Sequence, residues 1–416
     1  MDKKLIRTVI ALVLSMGLLL CSCSPTLAGP ETESDVSSDS RETVQEITDY
    51  RKYSGLLNYF QGYLYFFSDG VLKKCNVLTD EVSCACMDPL CKHNSPDCPA
   101  FSMNNPNRYA VSLKGERLYY TRELGNGRWE YGYMDLVSGS FSVLDKGVAN
   151  GWTQFGVDVY TDNYRYWHEQ IQENGEQFYL VNRMDLQNGA VETVKKTAST
   201  EKYGFYSTER CVAAVGDRII TADAHHLYSC NENLEDRILL LDIETENLSI
   251  QGGEDCIYFY SVDPSVERTV TKLPLDGSSP EVVVGGAGVR TKQSEMTDYI
   301  YYLKSESFDH EFSYYQKNGK VYTEPLIYSQ IRRCRPDGSK DELLVNLMTD
   351  TRFIRMHGMF AVGDYVFALA RIFVSPDENG VFTQYLTGKE FRTIQAGDMV
   401  TLVKIDVRTG ELVYIG

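Results

Sequence analysis

The chain has 416 residues, and its 58 Asp and Glu against 41 Lys and Arg give a formal charge of −17. That balance repels phosphate backbones and offers no basic patch, which excludes nucleic acid as a partner and argues against electrostatic attachment to anionic lipid. The length suits one large β domain or two ordinary domains.

At the N-terminus, Lys3, Lys4 and Arg7 precede an apolar run from Val9 to Leu20, the layout of an export signal. The run is shorter than the roughly 20 residues needed to span a bilayer. Leu20-Cys21-Ser22-Cys23 resembles the lipobox of bacterial lipoproteins, with Leu three residues before the modified Cys and a small residue immediately before it. The resemblance implies a signal peptide over residues 1–22 and a lipid, with palmitate-type acyl chains, on Cys23. It implies a protein held on the extracellular face of the cytoplasmic membrane. Removing Lys3, Lys4, Arg7 and Asp2 with the signal takes the charge from −17 to −19. Residues 23–50, rich in Ser, Thr, Glu and Asp with little to bury, read as a disordered tether.

From residue 51 onward, short alternating β-branched and aromatic runs dominate, and the expected fold class is all-β. A turn that enters a strand recurs seven times, at Gly62-Tyr63, Gly115-Glu116, Asp162-Asn163, Gly216-Asp217, Gly253-Glu254, Thr297-Asp298 and Gly363-Asp364. A second phrase, a strand running into a turn, follows each: Asn76 with Thr79-Asp80, Asp135 with Gly139, Asp185 with Gly189, Asp242 with Thr245, Asp276-Gly277, Asp337-Gly338, and Asp406 with Gly410. Asp bonds its own following backbone and Gly takes positive φ at low cost, so these are turns by chemistry. Copies of the first phrase lie 37 residues apart (Gly216 to Gly253) to 65 apart (Asp298 to Gly363). Those spacings surround the roughly 40–50 residues of a four-stranded propeller blade. The expectation is a β-propeller over residues 51–416 with seven blades, six or eight being the neighbouring counts.

The Ile/Leu-Tyr-Tyr strand followed by a Met-Asp or Leu-Asp turn resembles propeller repeats of the low-density-lipoprotein-receptor type. It is similar in particular to repeats of Firmicutes surface lipoproteins. The receptor repeat Tyr-Trp-Thr-Asp has no intact copy here, and its nearest forms are Phe66-Phe67-Ser68-Asp69 and Tyr119-Tyr120-Thr121.

Residues 84–99 hold Cys84, Cys86, Cys91, His93 and Cys98 among Pro89, Pro96 and Pro99. The Cys-Asp-Pro-x-Cys-x-His stretch with a later Cys also resembles those lipoproteins. Two readings stay open. Cys86, Cys91, His93 and Cys98 could hold a structural zinc, with Cys84 as a spare ligand. Alternatively, an exported chain could pair four of the cysteines in two disulfides that brace a loop with little apolar core. Four protein ligands leave no open position, which disfavours a catalytic metal. Nine cysteines remain in the mature chain besides the lipidated one, so at least one has no intramolecular partner. Cys75, Cys211, Cys230, Cys256 and Cys334 lie in apolar strands and read as buried thiols.

No nucleophile elbow, phosphate loop, dinucleotide fingerprint or His-Glu-x-x-His pair occurs. Asp223, His225 and His226 form a polar group read as loop residues, and His168 reads as strand packing before a ligand rim. The repeating aspartates read as structural. Three stretches, Glu169–Gln177, Glu306–Ile327 and Ser375–Ala396, depart from the repeat, and insertions on a rigid ring are where binding surfaces are commonly built. The expected function is therefore a membrane-anchored extracellular binding protein for an unidentified protein, peptide or glycan. The alternative is a carbohydrate- or peptide-active propeller enzyme with paired carboxylates in the central channel.

Overall fold

The computed structural model describes residues 56–103, 111–148, 154–198, 209–223, 225–243, 248–253, 255–261, 269–285, 289–296, 299–304, 311–315, 321–325, 330–346, 353–374, 393–395 and 397–415. The signal peptide, lipidated Cys23 and the tether lie outside them. So does much of the second and third insertions.

Seven four-stranded antiparallel sheets follow one another along the chain as the blades of a β-propeller. Blade 1 is β1 (Asn58–Phe60), β2 (Tyr63–Ser68), β3 (Val71–Asn76) and β4 (Val82–Cys84). Blade 2 is β5 (Ser112–Lys114), β6 (Arg117–Gly125), β7 (Arg128–Asp135) and β8 (Phe141–Val148). Blade 3 is β9 (Gln154–Tyr160), β10 (Tyr164–Glu173), β11 (Glu176–Asp185) and β12 (Val191–Ala198). Blade 4 is β13 (Arg210–Val215), β14 (Arg218–Ala222), β15 (His226–Cys230) and β16 (Ile238–Asp242). Blade 5 is β17 (Leu248–Gly252), β18 (Cys256–Ser261), β19 (Val270–Pro274) and β20 (Glu281–Val284). Blade 6 is β21 (Val289–Met296) and β22 (Tyr299–Lys304), then, after β23 (Glu311–Tyr315) and β24 (Val321–Pro325), β25 (Gln330–Cys334) and β26 (Glu342–Asn346). Blade 7 is β27 (Phe353–Val362) and β28 (Tyr365–Val374), then, after β29 (Thr393–Gln395), β30 (Gly397–Asp406) and β31 (Leu412–Ile415).

The second strand of each blade explains the apolar runs in the sequence. Its two faces both lie against neighbouring blades, so both are buried rather than one. In β2, Leu64 and Phe66 pack with Phe367 and Leu402 of blade 7, while Tyr65 and Phe67 pack with Leu118 and Tyr120 of blade 2. In β22, Ile300 and Tyr302 pack with Tyr258 of blade 5, and Tyr301 and Leu303 with Val366 of blade 7. Strand periodicity of two thus sends alternate residues into two different interfaces. Full burial of such a side chain is worth about 1.5–3 kcal/mol. First strands of adjacent blades meet, β1 with β5, β9 with β13, β13 with β17 and β21 with β27, which puts them at the centre of the ring.

The turn between third and fourth strands is built the same way in most blades. Asp135 Oδ1 accepts from the N–H groups of Val137 (3.1 Å) and Ser138 (2.7 Å), and Asp185 Oδ1 from Gln187 (2.7 Å) and Asn188 (3.2 Å). Asn76, Asp276, Asp337 and Asp406 act alike. Gly139, Gly189, Gly277, Gly338 and Gly410 take positive φ there, and Asp80 holds that conformation in blade 1. A Cβ on Gly338 would run into the Val283 carbonyl oxygen, and one on Gly410 into that of Leu344. The turn therefore also needs glycine where it lies against the outer strand of the preceding blade.

Blade 4 corrects the sequence reading. Asp242 ends β16, the fourth strand, and the equivalent turn is built on Asn231, whose Oδ1 accepts from Asn233 (3.0 Å) and Glu235 (2.9 Å). Here Leu234 and Asp236, not glycine, take positive φ. Tyr166 and Arg183 of blade 3 hold it by donating to the Glu232 carbonyl, each at 2.7 Å.

In a four-stranded meander the first-to-second and third-to-fourth turns share one face of the ring, and the second-to-third loops and blade crossovers share the other. The two turns are tied together: Val77 donates to Gly62 O at 3.0 Å, Leu136 to Glu116 O at 2.8 Å, Leu186 to Asn163 O and Val407 to Asp364 O, each at 2.9 Å. All three long insertions lie between second and third strands and so leave from the opposite, loop face. The first of them is not a separate loop. Glu169 to Gln177 continues the β10–β11 ladder to Glu173↔Glu176, closed by Asn174-Gly175 at positive φ. The other two combine: β24, β23 and β29 form an added sheet in which β23 of blade 6 pairs parallel with β29 of blade 7, Ser313 facing Thr393 and Tyr315 facing Gln395.

Among the described residues, no blade mixes strands from the two ends of the chain. The ring closes through side chains instead. Leu57, Tyr59, Leu64 and Phe66 pack with Phe360, Phe367, Leu402 and Ile415, and Lys404 Nζ reaches across to Asp80 Oδ1 (2.5 Å) and Val77 O (3.1 Å).

Candidate metal centre between blades 1 and 2

The crossover from β4 to β5 carries the Cys/His cluster. Asp88 makes the entry turn, its Oδ1 accepting from Leu90 N–H at 2.9 Å while its carbonyl accepts from Cys91 N–H at 3.2 Å. His93 sits at φ 56°, reversing the chain, and Cys98 N–H donates to Ser95 O at 3.0 Å. These short-range bonds fold the segment without an apolar core of its own.

The result is convergence. One donor atom from each of Cys86, Cys91, His93 and Cys98 lies within 4.8 Å of every other. His93 Nδ1 is 3.5 Å from Cys98 Sγ, and the His93 N–H donates to Cys91 Sγ at 3.4 Å. Metal–sulfur bonds near 2.3 Å and metal–nitrogen bonds near 2.0 Å in a tetrahedron place donors just under 4 Å apart, so the four residues fit a metal ion. Cys98 is buried, while Cys86, Cys91 and His93 are half-buried. Burial pushes the Cys98 thiol up, the Ala100 N–H pulls it back, and the adjacent Cys91 and Cys86 thiols raise it further. A bound cation reverses that preference by taking the thiolate as its ligand. None of the nine described cysteines is in a disulfide.

The cluster is gripped from both blades. On the blade 1 side, Ala85 N–H donates to Leu72 O (2.9 Å), Leu72 N–H to Ala100 O (2.8 Å) and Ser102 N–H to Gly70 O (2.7 Å). On the blade 2 side, Arg122 donates to Pro96 O (3.2 Å) and Cys98 O (3.1 Å), and Tyr120 Oη to Pro99 O (2.8 Å). Arg122 is itself fixed by Glu130 at 2.6 Å and lies 4.5 Å over the Phe141 ring. Arg122, Tyr120 and Glu130 carry no local sequence signal for this task, since each lies some 20 residues or more beyond the cysteines in an unremarkable strand.

Other sequence candidates resolve as structure. His168 is buried and its Nε2 accepts from Cys211 N–H at 2.9 Å, joining blade 3 to blade 4. Asp223 Oδ1 accepts from the N–H groups of His225 and His226, each at 2.8 Å, and approaches His226 Nδ1 at 3.1 Å. Burial works to raise the Asp223 carboxyl, but these donors hold it below the usual range. Cys75, Cys211, Cys230, Cys256 and Cys334 are all buried, and burial pushes Cys75 up to about 11 and Cys334 up to about 12. Burial likewise raises Cys211 and Cys230, so these four thiols stay protonated at neutral pH.

Buried carboxylates among the described residues are engaged in pairs. Asp158 Oδ2 binds Arg165 Nε at 2.8 Å, with the guanidinium 3.8 Å over the Tyr131 ring. Glu209 binds Lys195, accepts from Thr221 Oγ1 at 2.7 Å and lies 3.4 Å from Arg237. An open cleft of about 460 Å³ on the turn face between blades 2 and 3 is lined by Lys114, Arg117, Tyr119, Asp135 and Asp162. Lys114 pairs with Asp162 across it at 3.3 Å.

Fold and cluster together define a seven-bladed propeller with a Cys/His cluster that fits a metal ion at one blade junction. No protein-family model and no curated protein sequence matches the chain. Among solved structures, an oligogalacturonate lyase in complex with manganese is similar at TM-score 0.50 and 10% identity, over 77% of this chain and 86% of that one. The oligogalacturonate lyase of Vibrio parahaemolyticus is similar at TM-score 0.49 and 12% identity, over 81% and 92%. The propeller domain of the trilobed protease of Pyrococcus furiosus, described as having an open velcro topology, is similar at 0.47 and 8%, over 88% and 95%. At such identities the likeness concerns the fold alone.

Proposed function

We propose that this chain is a lipid-anchored binding protein of the extracellular face of the cytoplasmic membrane, akin to the Firmicutes surface lipoproteins, that presents a ligand-binding platform on the loop face of its propeller. The observation that carries the reading is the pairing of β23 with β29, which joins the insertions of two adjacent blades into one added sheet. Departures from the repeat are thus concentrated on one face, while the buried carboxylates described above are occupied in holding blades together. The N-terminal basic and apolar pattern ending at Cys23 supports the anchor. The partner class is a protein, peptide or glycan. Cys86, Cys91, His93 and Cys98 hold a structural zinc, a metal suited to a three-sulfur, one-nitrogen set.

The test is a glycan and peptide array probed with the full chain and with a variant whose residues 305–329 are replaced by a short Asn-Gly turn. Binding by the full chain that is lost in the variant, with the circular dichroism spectrum unchanged, is the expected result. Equal binding by both, or turnover of an array ligand, contradicts it.

A further inference from the structure

The cluster holds one thiol more than the metal needs. Cys84 is outside the set of donors that lie within 4.8 Å of one another, yet it packs against the same buried cluster that contains Cys98. Its Sγ also accepts from Cys86 N–H at 3.4 Å and lies 3.7 Å from the Leu72 carbonyl oxygen. Zinc bound by the other four residues would leave Cys84 as an uncoordinated thiol in contact with a ligand. Cys84 is half-buried, whereas Cys98 is 1% exposed, so a small oxidant meets Cys84 before Cys98. The five remaining cysteines of the described residues are buried.

We infer that the loop is a thiol–disulfide switch that releases its metal: Cys84 reacts with a low-molecular-weight disulfide, and Cys98 resolves the product as a Cys84–Cys98 bond. This rests on the reading of the cluster as a zinc site. The balance is closed. The Cys84 thiol, giving up its proton as it reacts, attacks the disulfide RSSR, forming a mixed disulfide and expelling RS⁻. The Cys98 sulfur leaves zinc and attacks the Cys84 sulfur, expelling a second RS⁻, and zinc departs from the three ligands that remain. Cys84 and the Cys98 thiolate together lose two electrons, RSSR gains them as two RS⁻, and one RS⁻ takes the Cys84 proton while the other takes a proton from water.

The geometry also sets the consequence. Cys84 ends β4 of blade 1, and the Cys98 carbonyl is held by Arg122 of blade 2. The new bond would replace the metal as the link between the blades while freeing the segment from Cys86 to His93, which carries the exposed Leu90 and Met87.

The experiment uses the full chain, purified with zinc and without chelator, and Cys84→Ser prepared alike. Zinc content is measured first, then release to a chromophoric chelator under oxidised glutathione, followed by peptide mapping. The expected result is zinc in both proteins, release from wild type with a mapped Cys84–Cys98 disulfide, and release at least about tenfold slower from Cys84→Ser. Equal release rates, or a disulfide joining Cys98 to Cys86 or Cys91, overturn the switch and leave the zinc site standing. Absence of zinc from both proteins overturns the zinc reading and the switch with it.

Discussion

At the scale of single residues, the turns show how one position carries two demands. Gly216 has positive φ and open space around it, whereas Gly338 has positive φ and the Val283 carbonyl against it. Gly216→Ala should cost about 1 kcal/mol from backbone strain alone, and Gly338→Ala about 3 kcal/mol or more because the neighbouring blade must also move. Denaturant unfolding of the two variants checks the difference. Arg165 poses a different problem, a guanidinium and a carboxylate both nearly excluded from water at the junction of blades 2 and 3. Arg165→Met strands the Asp158 carboxylate and should destabilise by about 3–5 kcal/mol, and adding Asp158→Leu should recover most of that loss. Turn aspartates set a pH dependence. The carboxyls of Asp135, Asp276 and Asp337 are held below the ordinary carboxylate range by hydrogen bonds from the turn, and Arg408 holds Asp406 down to about 2. Folded values below unfolded ones mean stability that is full above the ordinary range and lost as pH falls through the folded values. Acid titration followed by circular dichroism should show stability constant above about pH 5 and falling toward pH 2. Asp135→Asn, which keeps the acceptor as Asn76 does in blade 1, should keep the turn and shed its part of the pH dependence.

At the scale of elements, the two recurring phrases were legible because turn chemistry is local. Six of the seven second phrases fall on the third-to-fourth turn, where Asp or Asn accepts from an N–H two, and in three blades also three, residues on. Blade 4 misled because Leu241-Asp242 has the right letters at the end of the wrong strand, while the turn itself uses Asn231 and two non-glycine residues at positive φ. The convergence of the cysteine loop was legible, since its residues are close in sequence. Its grip on blade 2 was not: Arg122 becomes a partner of Cys98 only once β6 is laid beside the loop. Arg122→Met removes two bonds to loop carbonyls and leaves Glu130 without its partner, so the zinc-loaded protein should lose about 1–3 kcal/mol and exchange faster at amides 96–103. Hydrogen exchange with mass spectrometry reads both.

At the scale of the whole molecule, seven sheets make a ring whose two ends meet, among the described residues, without exchanging a strand. Closure then depends on the packing of blades 1 and 7 and on Lys404, whose ammonium joins Asp80 and the Val77 carbonyl. Lys404→Met leaves those oxygens without their donor. It should cost about 1–2 kcal/mol, moderated because Asp80 is partly solvated, and should raise exchange in β1 and β30 before other strands. Blade number was legible from turn spacing, because each repeat must bury two faces against its neighbours. The pairing of β23 with β29 was not, since about 80 residues separate the partners and parallel pairing leaves no local turn signal. That pairing is also what gathers the insertions into one platform.

The most direct test of this account is a crystal structure of the full chain grown without chelator, with anomalous scattering recorded at the zinc edge. A seven-bladed ring with one zinc held by Cys86, Cys91, His93 and Cys98, wedged between blades 1 and 2, is the expected result. A metal-free loop closed by two disulfides among Cys84, Cys86, Cys91 and Cys98 would contradict it.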